Sequence, residues 1–304
     1  MTDSKQRSIV ATVTANFGEN FSVLTEQGDS LRCFARKSLE GTVAGDRVLV
    51  DEQQRVILKR LKRDNVFERP NDFGKVKSVV ANIDQAFVVF ASEPEFSCLL
   101  LDRYLVALHQ KKIQPILLLN KTDLIDEDSR DTIEAICALY ESLGYPLIKL
   151  SAKTEQSLKP LQPLLAEKNS VFLGQSGVGK SSIINQLLPE AKQLVNTVSE
   201  GSKLGQHTTT TSQLFALESS GFLVDSPGIR DFLLWHINDL AVAEAYPEIV
   251  EQAQFCRFRN CRHQNEPNCA VKQAVENGEI ATSRWESFQK IQQEIQTSKH
   301  NKLW

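Results

Sequence analysis

No run of this chain approaches the about 18 consecutive apolar residues that a membrane-spanning helix needs. Residues 1–8 open it without the apolar core of a secretory signal, and no lipidation motif is present. These absences argue against secreted and membrane-anchored classes and lead us to expect a cytoplasmic protein with reduced cysteines and no membrane partner. Cysteine is scarce, six in 304 residues. Cys33, Cys98 and Cys137 are scattered and read as small buried apolar residues. A strong excess of one charge is also missing, since the formal net charge is −3. That balance hides an asymmetry. Residues 1–65 carry 11 Lys/Arg against 9 Asp/Glu, residues 66–254 carry 16 against 24, and residues 255–304 carry 8 against 5. Basic ends around an acidic middle suit an enzyme flanked by two modules that face a polyanion, although excesses of this size also arise by ordinary scatter.

What is present centres on Gly174-Gln175-Ser176-Gly177-Val178-Gly179-Lys180-Ser181-Ser182. From Gly174 to Ser181 it fits G-x-x-x-x-G-K-[ST], the phosphate-binding loop. The glycines let backbone N–H groups approach phosphate oxygens, Lys180 can reach the β- and γ-phosphates, and the Ser181 hydroxyl can hold Mg²⁺. Residues 171–173 read as a buried strand before the loop. Residues 181–188 read as a helix after it, with Ile183, Ile184, Leu187 and Leu188 at helical spacing.

A base-reading motif lies upstream. Residues 86–90 and 115–119 are continuous apolar runs, as in parallel strands covered on both faces. Residues 99–110 and 131–143 have helical spacing, the second stopped by Gly144, and residues 146–150 read as a third strand. Asn120-Lys121-Thr122-Asp123 follows the second strand and Ser151-Ala152-Lys153 follows the third. The carboxylate of Asp123 can accept from guanine N1–H and N2–H₂, a donor pair that adenine lacks. Asn120 can use its amide on the base, the stem of Lys121 can cover the ring, and the N–H of Ala152 can donate to guanine O6.

Downstream, residues 199–212 are polar and contain His207-Thr208-Thr209, where a mobile loop with a Mg²⁺-linked threonine is expected. Asp225-Ser226-Pro227-Gly228 then follows an apolar run, giving D-x-x-G. There Asp225 can hold Mg²⁺ through water, and the Gly228 N–H can face the γ-phosphate.

The two ends differ in kind from this middle. Residues 7–14, 21–25, 30–35, 47–50 and 56–58 read as five short strands separated by glycines, which suits a small barrel of oligonucleotide-binding or SH3-like type. Residues 55–63 hold five Lys/Arg and no acid, either a solvated strand edge or a rim that faces phosphate. Near the other end, Cys256, Cys261, His263 and Cys269 offer four ligands for a tetrahedral, structural zinc. Arg257, Arg259, Asn260, Arg262, Gln264 and Asn265 interleave with them, so the thiols have no core to hide in. Helices over residues 270–277 and 283–296 should pack around the cluster, the second through Trp285, Phe288, Ile291 and Ile295.

Ordinary GTPases run phosphate loop, switch threonine, DxxG, NKxD, SAK. Here NKTD and SAK come first, an order that a circular permutation produces without disturbing strand neighbours. This order, lying between a small barrel and a Cys/His cluster, resembles the bacterial ribosome small subunit-dependent GTPase A family over essentially the whole chain. Arg63-Asp64-Asn65, Arg69-Pro70 and residues 205–210 match further, while Gln206 stands where many relatives have a basic residue. The resemblance implies an oligonucleotide-binding-like RNA-binding barrel over residues 1–65, a permuted α/β P-loop GTPase domain over 66–235 and a zinc-binding α-helical domain over 236–304. It implies a monomeric Mg²⁺-dependent GTP hydrolase, with GTP and GDP as ligands and one structural zinc per chain. The small ribosomal subunit and its rRNA are the implied partners, and the task is late maturation of that subunit. Thr209, with Thr208 as the alternative, would join Ser181 and Asp225 at Mg²⁺. Ile229 occupies the place of the water-orienting Gln of Ras-like enzymes, so His207 becomes the candidate catalytic group beside Lys180 and Thr209. A translation-factor-like GTPase acting on mature ribosomes, and a GTP-gated RNA-binding switch with incidental turnover, are the alternatives.

Overall fold

The computed structural model describes residues 8–36, 39–70, 76–188, 212–217, 219–225 and 239–301. It divides into two compact units. The first comprises Met1–Phe87, Leu150–Leu173 and Gly179–Phe232; the second comprises Val88–Lys149, Gly174–Val178 and Leu233–Trp304.

Five strands of the first unit form a closed barrel: β1 (Ser8–Phe17), β2 (Asn20–Thr25), β3 (Ser30–Ala35), β4 (Arg47–Asp51) and β5 (Val56–Arg60). β1 pairs antiparallel with β2 and β4, β2 antiparallel with β3, β3 parallel with β5, and β5 antiparallel with β4. The ring 1-2-3-5-4-1 is an oligonucleotide-binding-type barrel, which settles the choice against an SH3-like one. Alternate side chains point inward, and Ala11, Val13, Phe21, Val23, Leu31, Cys33, Val48, Val50 and Ile57 make its core. β1 runs beyond the expected residue 14. A bulge between Val13 and Ala15 bends the strand, so it continues around the barrel to Phe17.

The chain then forms a hairpin, β6 (Val66–Pro70) and β7 (Val76–Ala81), which no sequence pattern above announces. Side chains that look like surface polar residues lock this joint. Arg63 donates to both carboxylate oxygens of buried Asp46, at 2.6 and 2.7 Å, and also to Gly41 O and Ser78 Oγ. Asn65 exchanges two hydrogen bonds with the backbone of Ile83. A Cβ at Gly45 would lie 1.9 Å from Ala81 O, so only glycine admits the hairpin here. The rest of the unit contains a 3₁₀ segment (Glu155–Leu161), α3 (Gln162–Leu165), β11 (Asn169–Leu173), α4 (Lys180–Leu187), β12 (Gln213–Ala216) and β13 (Phe222–Asp225). β11 and β13 are parallel, with Val171 beside Val224, and β12 is antiparallel to β13.

The second unit takes in most of β8 (Gln85–Ala91), followed by α1 (Cys98–Gln110), β9 (Gln114–Asn120), α2 (Glu127–Ser142) and β10 (Leu147–Lys149). Every residue of β8 is buried, as the apolar run over residues 86–91 requires. β10 is parallel to β9, with Leu147 beside Leu117. α2 begins four residues before residue 131, because Asp126 caps it by accepting from Ser129 N–H at 2.8 Å. The C-terminal part is helical: α5 (Asp239–Glu244), α6 (Pro247–Ala253), α7 (Ala270–Glu276) and α8 (Thr282–Asn301). Phe288, Ile291 and Ile295 of α8 are buried with Tyr246, Ile249, Val271 and Ala274, while Trp285 packs on that core partly exposed. Arg284 of α8 is 1% exposed. It ion-pairs with Asp102 of α1, donates to both oxygens of Glu248 of α6, and stacks 4.1 Å from the Tyr246 ring centroid. Asp102 also accepts from Tyr140 Oη at 2.7 Å.

Candidate functional site

The phosphate loop follows β11. Gly174 has φ 138°, and a Cβ there would lie 2.2 Å from Val89 O, so the strand itself excludes any side chain. Gly177, at φ 85°, faces the Pro94 ring at 3.4 Å. Gly179, at φ 94°, is the N-cap of α4. The helix therefore starts at Lys180, and Ser181 and Ser182 lie in its first turn, where backbone N–H groups and the helix dipole favour phosphate. Lys180 is 7% exposed.

In the second unit the NKTD turn is tied to this loop. Asn120 ends β9, is 1% exposed, and donates from Nδ2 to Val178 O at 2.8 Å. One N–H of that nitrogen thereby braces the loop, and its second donor is not used by this bond. Lys121 adopts the left-handed conformation, φ 58°, and its Nζ donates to Glu93 O at 2.9 Å. A left-handed lysine costs roughly 1 kcal/mol, and such strain clusters at functional sites. It turns the chain sharply into a 3₁₀ turn, Thr122–Leu124, which presents Asp123 at the surface. Glu93 and Val178 act through backbone carbonyls, to which residue type gives no clue.

In the first unit, Ser151-Ala152-Lys153 forms a turn. Lys153 N–H donates to Ser151 Oγ at 3.4 Å and Ser157 Oγ to Ser151 O. Gln186, on the helix that starts at the phosphate loop, donates to Ala152 O. This bond orients the Ala152 turn against α4, and no motif pointed to Gln186. Asp225 is the last residue of β13, paired in register with Gln213. Its side chain, together with His207, Thr208, Thr209, Gly228 and Ile229, lies outside the described residues.

The four metal-ligand candidates converge. The ligand atoms of Cys256, Cys261, His263 and Cys269 all lie within 4.8 Å of one another. His263 Nδ1 is 3.3 Å from Cys269 Sγ and 3.6 Å from Cys256 Sγ, and the two sulfurs are 3.9 Å apart. Tetrahedral coordination with metal–sulfur bonds of about 2.3 Å puts neighbouring ligands roughly 3.4–3.8 Å apart, so the cluster fits a four-coordinate ion. Burial holds His263 below its ordinary pKa, in the neutral form that ligates metal. Burial, reinforced by the neighbouring thiols, pushes the Cys261 thiol up to about 12, so metal entry would release its proton.

A family model described as RsgA GTPase matches residues 60–235. The chain belongs to the RsgA GTPase family. It is a GTP hydrolase whose NKTD and SAK segments precede its phosphate loop, the permuted order. "Small ribosomal subunit biogenesis GTPase RsgA" of Hahella chejuensis is 44% identical over 93% of this chain and 84% of that one. The protein of the same name from Shewanella oneidensis is 40% identical over 95% and 84%. Among solved structures, YjeQ from Thermotoga maritima is similar with a TM-score of 0.80 and 32% identity, covering 95% of this chain and 99% of that one. YloQ, described as a circularly permuted GTPase, is similar with a TM-score of 0.79 and 30% identity over 98% of each.

Proposed function

We propose that this family member cleaves GTP to GDP and phosphate on the immature small ribosomal subunit and assists its late maturation. The observation that carries the reading is the Asn120–Val178 bond inside a permuted GTPase: base reader and phosphate loop are braced as one piece. The relatives' printed name supplies the partner. The domains would be residues 1–65, an RNA-holding barrel; 66–235, the GTPase; and 236–304, the zinc module that sets it on rRNA. Asp123 would read guanine, with Thr122, Lys121 and the Ser151-Ala152-Lys153 turn around the base. Residues 174–182 would cradle the phosphates. Ser181, Thr209 and Asp225 would hold Mg²⁺, which neutralises charge on the β- and γ-phosphate oxygens. The Gly228 N–H would face the γ-phosphate, and His207 would orient the attacking water in place of a Gln at Ile229. Zinc would hold the Cys256–Cys269 loop in one conformation and take no part in chemistry. The test is GTP turnover with and without purified small subunits. Clear stimulation supports the proposal, and its absence removes the ribosome-dependent part.

A further inference from the structure

The metal-ligand loop also presents aromatic surface. Phe255 is 72% exposed and Phe258 40% exposed, on either side of Cys256. Neither sits on a loose strand. Phe255 N–H donates to Gln252 O, Cys256 N–H to Ala253 O and Cys261 N–H to Phe258 O, each at 3.1 Å, and Cys256, between the two rings, and Cys261 belong to the converging ligand cluster. Two exposed phenyl rings held in place within four residues mark an interface rather than the ordinary scatter of apolar side chains on a surface.

The surroundings select the partner. Arg257, Arg259, Asn260, Arg262 and Gln264 are exposed and close to the two phenylalanines in sequence, and residues 252–265 contain no Asp or Glu. The next carboxylate, Glu266, accepts from Arg262 N–H and Gln264 N–H at 2.9 Å each, so its charge is spent on the backbone. The Arg257 guanidinium lies over the Phe258 ring, 5.5 Å from its centroid, and thereby extends the flat surface with a cation. An apolar protein groove offers nothing to three arginines, and an acidic peptide offers nothing to two rings. A nucleic acid strand offers phosphates to the one and base faces to the other. Paired bases keep their faces inside the stack, so the complementary form is unpaired.

We infer that Phe255 and Phe258, with Arg257, Arg259 and Arg262, form a stacking platform for unpaired RNA bases. The inference rests on the proposed rRNA partner for the source of that RNA, but not on GTP turnover.

The experiment uses the full chain with zinc bound and a short unstructured oligouridylate carrying one 2-aminopurine. The parent should bind it, change its fluorescence on stacking, and bind the same strand more weakly once it is paired with its complement. Phe255→Ala and Phe258→Ala should each weaken binding about 5-fold or more, the scale of one lost stacking contact. Phe258→Trp should retain binding. Phe255→Leu with Phe258→Leu keeps apolar bulk without a π face, and it should lose binding as the alanines do while metal content stays at the parental level. Unchanged affinity in the alanine variants, full affinity in the leucine variant, or no binding by the parent would each overturn the platform. So would a variant that loses small-subunit binding yet keeps the oligonucleotide, which would place the rings against a ribosomal protein. Subunit-stimulated turnover of the parent, assayed in parallel, reports on the functional proposal separately.

Discussion

Asp123 is exposed on a turn whose base is pinned at Asn120 and Lys121. In the proposed reading, base choice rests on its carboxylate. Asp123→Asn should lower GTP affinity by about 100-fold, the loss of charged hydrogen bonds at about 1.5–3 kcal/mol each. It should also raise affinity for xanthosine triphosphate, since Asn can donate to the added O2. Competition binding with GTP, ATP and the xanthine analogue measures this, and equal ATP and GTP binding by the parent would refute the base assignment. At this scale the sequence named the residues of NKTD, SAK and the phosphate loop because each type is demanded by chemistry. It was silent on Glu93 and Val178, whose carbonyls any residue could supply, and on Gln186, whose partner lies 34 positions away. It assigned the Asn120 amide to the base and did not show that one of its two N–H donors also braces the loop.

Elements were legible where periodicity was strong. The barrel strands and α8 stood out because their buried residues recur at regular spacing, and β8 and β9 because their apolar runs are continuous. The hairpin β6–β7 was hidden because its ends are charged and proline-bearing, and its stability comes from distant partners such as Asp46 and Gly45. The joint between α1, α6 and α8 was likewise invisible, since Asp102, Glu248 and Arg284 read as surface residues. Burial raises the Asp102 carboxyl above its ordinary range despite Arg284, with Tyr140 and Glu248 facing the same pocket. Arg284→Met would leave two carboxylates without their cation and should cost about 3 kcal/mol at neutral pH. The sign with pH follows from Asp102. A folded-state pKa that is raised keeps a proton that the unfolded chain has lost, so this stability is full below about pH 4 and is lost as pH rises through the folded-state pKa. The deficit of the variant against the parent should therefore shrink on acidification from pH 7 towards 5, as read by urea unfolding at both values. A deficit that grows on acidification would contradict the buried, uncompensated Asp102. The metal loop makes a parallel case. Cys261→Ser removes one of four converging ligands and should lower zinc content below one per chain and loosen the loop, while GTP binding persists. Metal analysis of carefully purified parent protein that finds no stoichiometric zinc would remove that assignment.

The whole chain carries almost no net charge, yet its two ends are basic and its middle acidic. An acidic GTPase has little attraction for RNA, so affinity for a ribosomal particle must come from the ends. In the proposed reading catalysis depends on docking, because Ile229 can neither donate to nor accept from an attacking water, and His207, beside the threonines of the polar segment 199–212, is the candidate that docking would bring in. Small subunits should raise GTP turnover by at least about 100-fold, less than the about 10³–10⁵ that an activating partner's arginine supplies in other GTPases. Raising salt from about 50 to about 200 mM should abolish most of that stimulation, because several phosphate contacts are lost together, while unstimulated turnover changes little. His207→Ala should remove about 100-fold of the stimulated rate and leave GTP binding and subunit binding near parental values. The two interventions separate the steps. Salt acts on docking and is overcome by more subunits, whereas the histidine variant stays slow at saturation. An alanine variant stimulated as fully as the parent at saturating subunits would deny His207 any part in placing the water, and the orienting group would then have to come from the ribosome.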